Sequence, residues 1–254
     1  MEQQDYIFGL RPVQEAIEAG RTIERVMIKK GLQGDGVYAL LHLIRQSGIP
    51  FQYVPVEKLN RMTQKNHQGI IAITSIVTYL PFEEVVARVF EDGRDPLVVI
   101  LDGITDVRNL GAIARSAEAA GADAILIPEK GVAQINPDSM KTSAGALAII
   151  PVCRTPDLIR SIKYLKNAGL KITGATEKTD VLFYDADFKS PMALILGAED
   201  HGISPNILAL CDQEVRIPML GKIASLNVSA AASVILFEAV RQRSSTNNKP
   251  QKNK

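Results

Sequence analysis

The sequence predicts an α/β protein in two parts: a small N-terminal unit, then a larger one built on a mostly parallel sheet. Three observations carry this. From Leu97 onward six short apolar runs are separated by stretches of helical periodicity, as expected for parallel strands covered on both faces. A shorter alternation of the same kind fills Tyr6 to about Val77, and Pro81, Gly93 and Pro96 punctuate the stretch between. The boundaries drawn are 1–77 for the first domain, 78–95 for a linker that becomes the next domain's first helix, 96–242 for the second domain, and 243–254 for a disordered basic tail.

In the first part, Arg11–Ala19 reads as a helix ended by Gly20, Arg25–Lys29 as a strand, and Tyr38–Gln46 as a helix ended near Gly48. Phe51–Val54 and Gly69–Ile76 read as strands. In the second, the strands are Leu97–Leu101, Ala124–Pro128, Ile149–Val152, Lys171–Ala175, Ala193–Leu196 and Glu214–Ile217. The tail from Arg241 has five basic residues, no acid and almost nothing apolar, which predicts disorder.

Composition narrows the class. Of 254 residues 46% are hydrophobic and 22% charged, enough to bury real cores, and the net charge of +1 neither demands nor excludes a nucleic-acid partner. Cys153 and Cys211 are far apart with no metal-ligand spacing, so a reducing cytoplasm is expected and a zinc site or disulfide framework is not. Asp5, Arg11 and Glu15 break any early apolar stretch, and no run reaches the roughly 18 apolar residues of a membrane span.

Three constellations bear chemistry. In Leu101–Arg115 a strand meets a polar turn and a helix, and Arg115, about 200° round from Ile113, should point away from the core near the strands' carboxyl edge. The plainer reading is that Asn109 caps the helix and Arg115 is a solvated charge. In Met192–Ser204 an apolar strand ends in Gly197, the acids Glu199 and Asp200, and Gly202, which serves either a ligand approach or an ordinary strand-to-helix turn. In Ile217–Ser229 the residues Ser225, Asn227 and Ser229 crowd the start of an apolar helix, more polar groups than one cap requires.

Taken in order, Asn109-Leu110-Gly111 with Arg115, Leu196-Gly197-Ala198-Glu199 with Gly202, and Ile217-Pro218-Met219 through Ser225-Leu226-Asn227-Val228-Ser229 resemble the three signature motifs of the SpoU (TrmH-like) branch of the SPOUT RNA methyltransferases. Lys141–Ala146 resembles a family segment lining the site. Tyr6–Val13 and His67–Ile70 resemble the L30e-like RNA-binding domain that precedes the catalytic domain in part of this branch. The resemblance implies an α/β-knot catalytic domain, with its C-terminal segment threaded into a trefoil knot, and a homodimer completing each site from both subunits. It implies S-adenosylmethionine-dependent 2′-O-ribose methylation of RNA, with a guanosine of 23S ribosomal RNA as the expected substrate, without metal. Arg115, Glu199, Asn227, Ser225 and Asn109 take the catalytic positions. Gly197, Ile217, Leu226, Leu196 and Met219 take the cofactor positions.

RNA would be held through Arg11, Lys58, Arg61, Lys65, Arg108 and Lys141, with Arg25, Lys29 and Lys30 as further candidates, although each is also an ordinary surface charge. Tyr6, Phe8 and Tyr53 could stack on bases or simply fill core. His42 and His67 read as structural or RNA-facing, and His201 stays open as a base beside Glu199. Three alternatives stand: a transfer-RNA or antibiotic-resistance methyltransferase of the same branch, an inactive RNA-binding assembly factor, and a nucleotide-dependent oxidoreductase. The absence of a GxGxxG turn disfavours the last.

Overall fold

A computed structural model describes residues 6–247 of the chain, with side chains through residue 244. Two compact units divide it, Met1–Thr78 and Tyr79–Lys254. The first contains β1 (Tyr6–Phe8), α1 (Leu10–Glu18), β2 (Ile23–Lys29), α2 (Asp35–Gln46), β3 (Phe51–Val54), α3 (Val56–Met62) and β4 (Ile70–Thr74). The sheet order is β1-β4-β2-β3; β4 runs antiparallel to both neighbours, and β2 parallel to β3.

Strand alternation assigns each side chain of this sheet to a layer. Val26, Ile28, Ile70 and Ala72 face α1 and α2, meeting Val13, Ile17, Leu40 and Ile44. Met27, Ile71 and Ile73 face the other way and pack with Leu59 of α3 and Val54. Both faces are covered, so β4 up to Ile73, and β2 from Val26 to Ile28, read as unbroken apolar runs.

The second unit contains β5 (Tyr79–Leu80), α4 (Phe82–Glu91), β6 (Leu97–Asp102), α5 (Val107–Ala119), β7 (Ala124–Pro128), α6 (Pro137–Thr142), a 3-10 turn (Ala146–Ala148), β8 (Val152–Thr155) and α7 (Leu158–Asn167). There follow β9 (Lys171–Ala175), a second 3-10 turn (Phe183–Asp185), β10 (Met192–Gly197), α8 (Pro205–Leu208), β11 (Gln213–Val215) and α9 (Val228–Asn247). Its sheet is parallel throughout, in the order β11-β9-β10-β6-β7-β8-β5. Every residue of β6 and β10 is buried. From β6 the chain builds outward through β7 and β8, then crosses to lay down β9 and β10 on the other side. The β6–β10 boundary is therefore the switch point, where open parallel sheets bind ligands at the carboxyl ends of their strands.

Several expectations are corrected. The segment 78–95, expected as a linker that becomes the next domain's first helix, supplies that helix, α4, but also an edge strand: β5 pairs with β8, Arg154 stacks 3.8 Å from the Tyr79 ring, and Phe82 and Val86 of α4 enter the core. The strand expected at Ile149–Val152 starts at Val152, because the chain turns through left-handed Gly145 and a 3-10 segment and leaves Ile149 71% exposed. Pairing resumes where the Pro151 carbonyl accepts from Ile125. The strand expected at Glu214–Ile217 is Gln213–Val215. The tail is helical through Asn247, which corrects disorder for residues 243–247, while 248–254 lie outside the described residues. Polar anchoring accounts for it. The Gln242 amide donates to the Ala186 carbonyl (2.9 Å), and the Arg243 guanidinium donates to the carbonyls of Phe188, Asp95, Pro96 and Ser190 (2.8–3.3 Å). Burial lowers the Arg243 guanidinium's proton affinity, partly offset by Asp95, Asp123 and Asp187.

Candidate active site

The site assembles at the carboxyl ends of β6 and β10. Strand β6 ends in Asp102, 8% exposed, whose Oδ2 accepts the Ser204 main-chain N–H at 2.7 Å and ties this end to the turn after β10. Helix α5 starts from Asp106, whose carboxylate accepts the Arg108 N–H at 2.6 Å. Because Asp106 fills the cap, Asn109 is free for another task. It is buried, and its Nδ2 donates to Glu199 Oε1 at 2.9 Å.

Glu199 stands at the tip of a tight turn in which Ala198 and Gly202 exchange main-chain hydrogen bonds of 3.1 and 2.9 Å. Gly197 makes this turn possible, because a Cβ there would lie 2.2 Å from both the Gly202 carbonyl carbon and the Ile203 nitrogen. Backbone of the same chain therefore occupies the volume that any side chain at Gly197 would need. Beyond the acid, Asp200 and His201 form an exposed pair 2.6 Å apart. The Asp200 carboxyl is held below its usual range by a main-chain N–H and secondarily by His201.

The third contribution arrives from far along the chain. After the edge strand β11 the backbone returns across the sheet, and Asn227 reaches the switch point. Its Nδ2 donates to Glu199 Oε1 (2.7 Å) and to Asn109 Oδ1 (3.1 Å), and its Oδ1 accepts the Ser229 N–H (2.9 Å) and hydroxyl (2.6 Å), capping α9. Asn109, Glu199 and Asn227 thus close a polar triangle between residues up to 118 positions apart. About two turns further along, Ser116 of α5 meets Ser233 of α9 at 2.7 Å.

Other expected site residues are placed differently. Arg115 is exposed and, among the described residues, makes no hydrogen bond or ion pair; six positions past Asn109, it lies about 120° from it around α5. It shares a stripe with Arg108 and Gly111. Gly111 allows α5 and α6 to touch, since a Cβ there would sit 2.6 Å from the Ser139 carbonyl. Lys141 is exposed on α6, and Ser225 is exposed in the returning loop. Within one copy, neither Arg115 nor Ser225 bonds to the triangle.

Leu196 is 1% exposed, so only its main chain is available to a ligand. Ile217 and Met219 are half-buried, while Leu220, Ile223 and Leu226 are 98%, 74% and 40% exposed. Among the described residues, no backbone N–H or C=O from Ile217 to Leu226 is hydrogen-bonded. In the first unit Arg11, Lys58, Arg61 and Lys65 are all exposed. Tyr6 donates its hydroxyl to the Met62 carbonyl and packs near Phe8, so both aromatics serve the fold. Asp102 and Asp106 were not singled out from sequence, and Gly111 entered only as part of its motif. An acid closing an all-apolar strand and an Asp two residues before Arg108 were visible signals for the first two; Gly111 gave none beyond its motif.

A profile for the SpoU rRNA methylase family matches residues 96–237. The chain belongs to that family. A second profile, for the substrate-binding segment of RNA 2′-O ribose methyltransferases, matches residues 6–80. Among curated relatives, the chain is 37% identical over 242 residues to a 23S rRNA (guanosine-2′-O-)-methyltransferase, RlmB, of Photobacterium profundum, covering 94% of this chain and 98% of that protein. It is 31% identical to the putative TrmH family tRNA/rRNA methyltransferase YacO of Bacillus subtilis, covering 95% and 97%. Among solved structures, the SpoU methyltransferase AviRb of Streptomyces viridochromogenes in complex with AdoMet matches at a TM-score of 0.61 and 29% identity, covering 94% of this chain and 90% of that one.

SpoU enzymes are S-adenosylmethionine-dependent methyltransferases, and the residues present fit that cofactor. A flat heterocycle with polar edges suits a loop that offers unpaired main-chain groups beside exposed apolar side chains, as Ile217–Leu226 does. Among the described residues no group of three or more His, Cys, Asp and Glu is gathered to hold a metal ion, and no helix is long and apolar enough to cross a membrane.

Proposed function

We propose that this SpoU-family enzyme methylates the ribose 2′-hydroxyl of a guanosine in 23S ribosomal RNA. The Asn109–Glu199–Asn227 triangle carries the reading: it joins all three motif segments at the switch point, beside the open loop 217–226. The RlmB relative, similar along nearly its whole length, favours 23S RNA, whereas the tRNA/rRNA name of the Bacillus relative keeps transfer RNA as the comparison substrate. The test is methyl incorporation into 23S and transfer-RNA transcripts, with the product mapped by nucleotide. Label at one 23S guanosine is expected; label in transfer RNA alone would overturn the substrate.

In this reading S-adenosylmethionine, when bound, supplies a methyl group already activated by its positive sulfur. Asn109 and Asn227 both donate to Glu199 Oε1, fixing that carboxylate in a charge-assisted arrangement and the returning loop with it. The main chain of Ile217, Leu226 and Met219 borders the cofactor, as does that of Leu196 and Gly197, and Ser225 supports the reaction beside it. Holding the reactants in line accounts for about 7–11 kcal/mol of the barrier in well-oriented reactions. A guanidinium stays protonated at any ordinary pH, so Arg115 is no base; it grips the phosphate next to the target ribose and stabilises charge developing on the 2′-oxygen. The hydroxyl proton passes to that phosphate or to water as the oxygen–methyl bond forms and the methyl–sulfur bond breaks.

Arg115 lies well round α5 from Asn109, so the reading includes a homodimer in which Arg115 serves the partner's triangle. Exposed Val234 and Phe237 on α9 supply apolar surface for such contact. The return of the chain from β11 to the sheet centre is the route on which a trefoil knot would form, and the knot belongs to the same reading. Mixing Arg115→Ala and Asn227→Ala subunits should restore activity that neither variant has, and failure of any mixture to do so would refute sharing across subunits.

A further inference from the structure

The N-terminal unit holds a cleft of about 420 Å³ where the end of β2, helix α3 and the turn before β4 meet. We propose that it receives one unpaired nucleotide of the RNA substrate, at a position distinct from the methylated ribose; this rests on the RNA methyltransferase reading above.

One wall is polar and locked in place. His67, 8% exposed, accepts the Gly69 main-chain N–H on Nδ1 (3.0 Å), so its proton sits on Nε2, which donates to Asn60 Oδ1 (2.8 Å). The Asn60 oxygen is thereby used, and its NH₂ group is left as the donor facing a ligand. The floor is the turn itself. Gln68 (φ +51°) and Gly69 (φ +78°) are left-handed in succession, and a Cβ on Gly69 would lie 3.1 Å from Lys29 Cβ and 3.2 Å from Leu32 Cδ2. A non-glycine residue in that region is strained, and strain held by surrounding contacts marks functional sites more often than ordinary turns. Here the Gln68 side chain holds it by accepting the Leu10 N–H at 3.0 Å.

The chemistry of the lining selects the ligand. Lys29 and Lys65 are exposed at the cleft, Leu32 and Val56 add apolar surface, Asn60 and Asn66 bring amides, and no lining residue is acidic. Two cations suit a phosphate, and amides beside an apolar surface suit the edge and face of a base. The volume sits at the low end of the roughly 300–1,000 Å³ of small-ligand sites, right for one nucleotide and too small for a duplex. RNA offers such a residue wherever a base is splayed out of a loop or bulge.

The test measures binding by the full chain of two RNA hairpins, one fully paired and one with a single-nucleotide bulge, across a salt series. For the wild type the bulged hairpin should bind more tightly. The double variant Lys29→Gln/Lys65→Gln should lose that preference, bind the bulged hairpin about tenfold more weakly, and show a salt slope shallower by about 1.4, from about 0.7 per cation removed. An unchanged unfolding profile of the full chain by calorimetry, including the transition of the first unit, establishes that the variant is folded. If the wild type binds RNA and the variant matches it in preference and slope, the cleft proposal is overturned. If the wild type binds neither hairpin nor 23S RNA, the enzyme reading falls and the proposal falls with it. Nucleoside monophosphates at millimolar concentration should compete weakly; a free nucleotide that binds tightly and is not displaced by RNA would make the cleft a metabolite site and refute the RNA assignment.

Discussion

Asn227→Ala separates the triangle's contribution from ordinary packing. The substitution removes two acceptor contacts to Ser229 that cap α9 and two donor contacts to Glu199 and Asn109. Loss of an N-cap side chain costs about 1 kcal/mol. The bond to the carboxylate would contribute about 1.5–3 kcal/mol and the one to Asn109 about 0.5–1.5 if buried, but Asn227 and Glu199 are exposed, so about 1 kcal/mol for the pair is the appropriate figure. The total, about 2 kcal/mol, corresponds to roughly 4–8 °C in the melting temperature of a unit this size. Asn227→Ser keeps a hydroxyl acceptor for the cap but cannot reach both partners, and should recover about half of the loss. Calorimetry on both variants, with Ser229→Ala as a control, checks this. An Asn227→Ala protein that melts within a degree of wild type while keeping full activity would show that the triangle neither holds the returning loop nor serves the reaction.

Arg115→Ala should abolish methyl transfer while S-adenosylmethionine binding, followed by calorimetry, survives; near-native turnover would remove Arg115 from the mechanism. Gly197→Ala has no room for its methyl carbon, 2.2 Å from the next turn's backbone, and should destabilise the second unit by roughly 3 kcal/mol or more, visible in chemical unfolding. Arg243→Ala leaves four main-chain carbonyls without their shared donor and should cost roughly 2–3 kcal/mol, whereas a neutral result would mean the helix end is held by Gln242 alone. Burial, with lesser contributions from Glu83 at Cys153 and from Glu214 and Asp212 at Cys211, pushes both thiols from an ordinary 9.0 up to about 12. Neither should react with a thiol reagent at pH 8 until the chain unfolds. Because unfolded thiols ionise first, the stability they contribute is present below pH 9 and lost as pH rises toward about 12.

The sequence by itself determined the strands whose residues are buried on both faces. Ala124–Pro128 and Lys171–Ala175 lie where their apolar runs place them, since burial on two sides leaves a largely unbroken hydrophobic signal. The motif order likewise singled out Asn109, Glu199 and Asn227 as candidates. Only the tertiary structure decided what those three do to one another, because hydrogen bonds across 90 and 118 positions have no local periodicity to betray them. It decided too that Asp106 caps α5 and frees Asn109, that Gly111 and Gly197 are required by backbone approaching from elsewhere, and that the apparently featureless residues 241–247 continue as helix. Arg243 looks like solvated charge in a one-dimensional pattern; four carbonyls from distant segments make it an anchor. Hydrophobic burial writes its period into neighbouring residues, whereas polar satisfaction is settled between residues that meet only when the chain is folded.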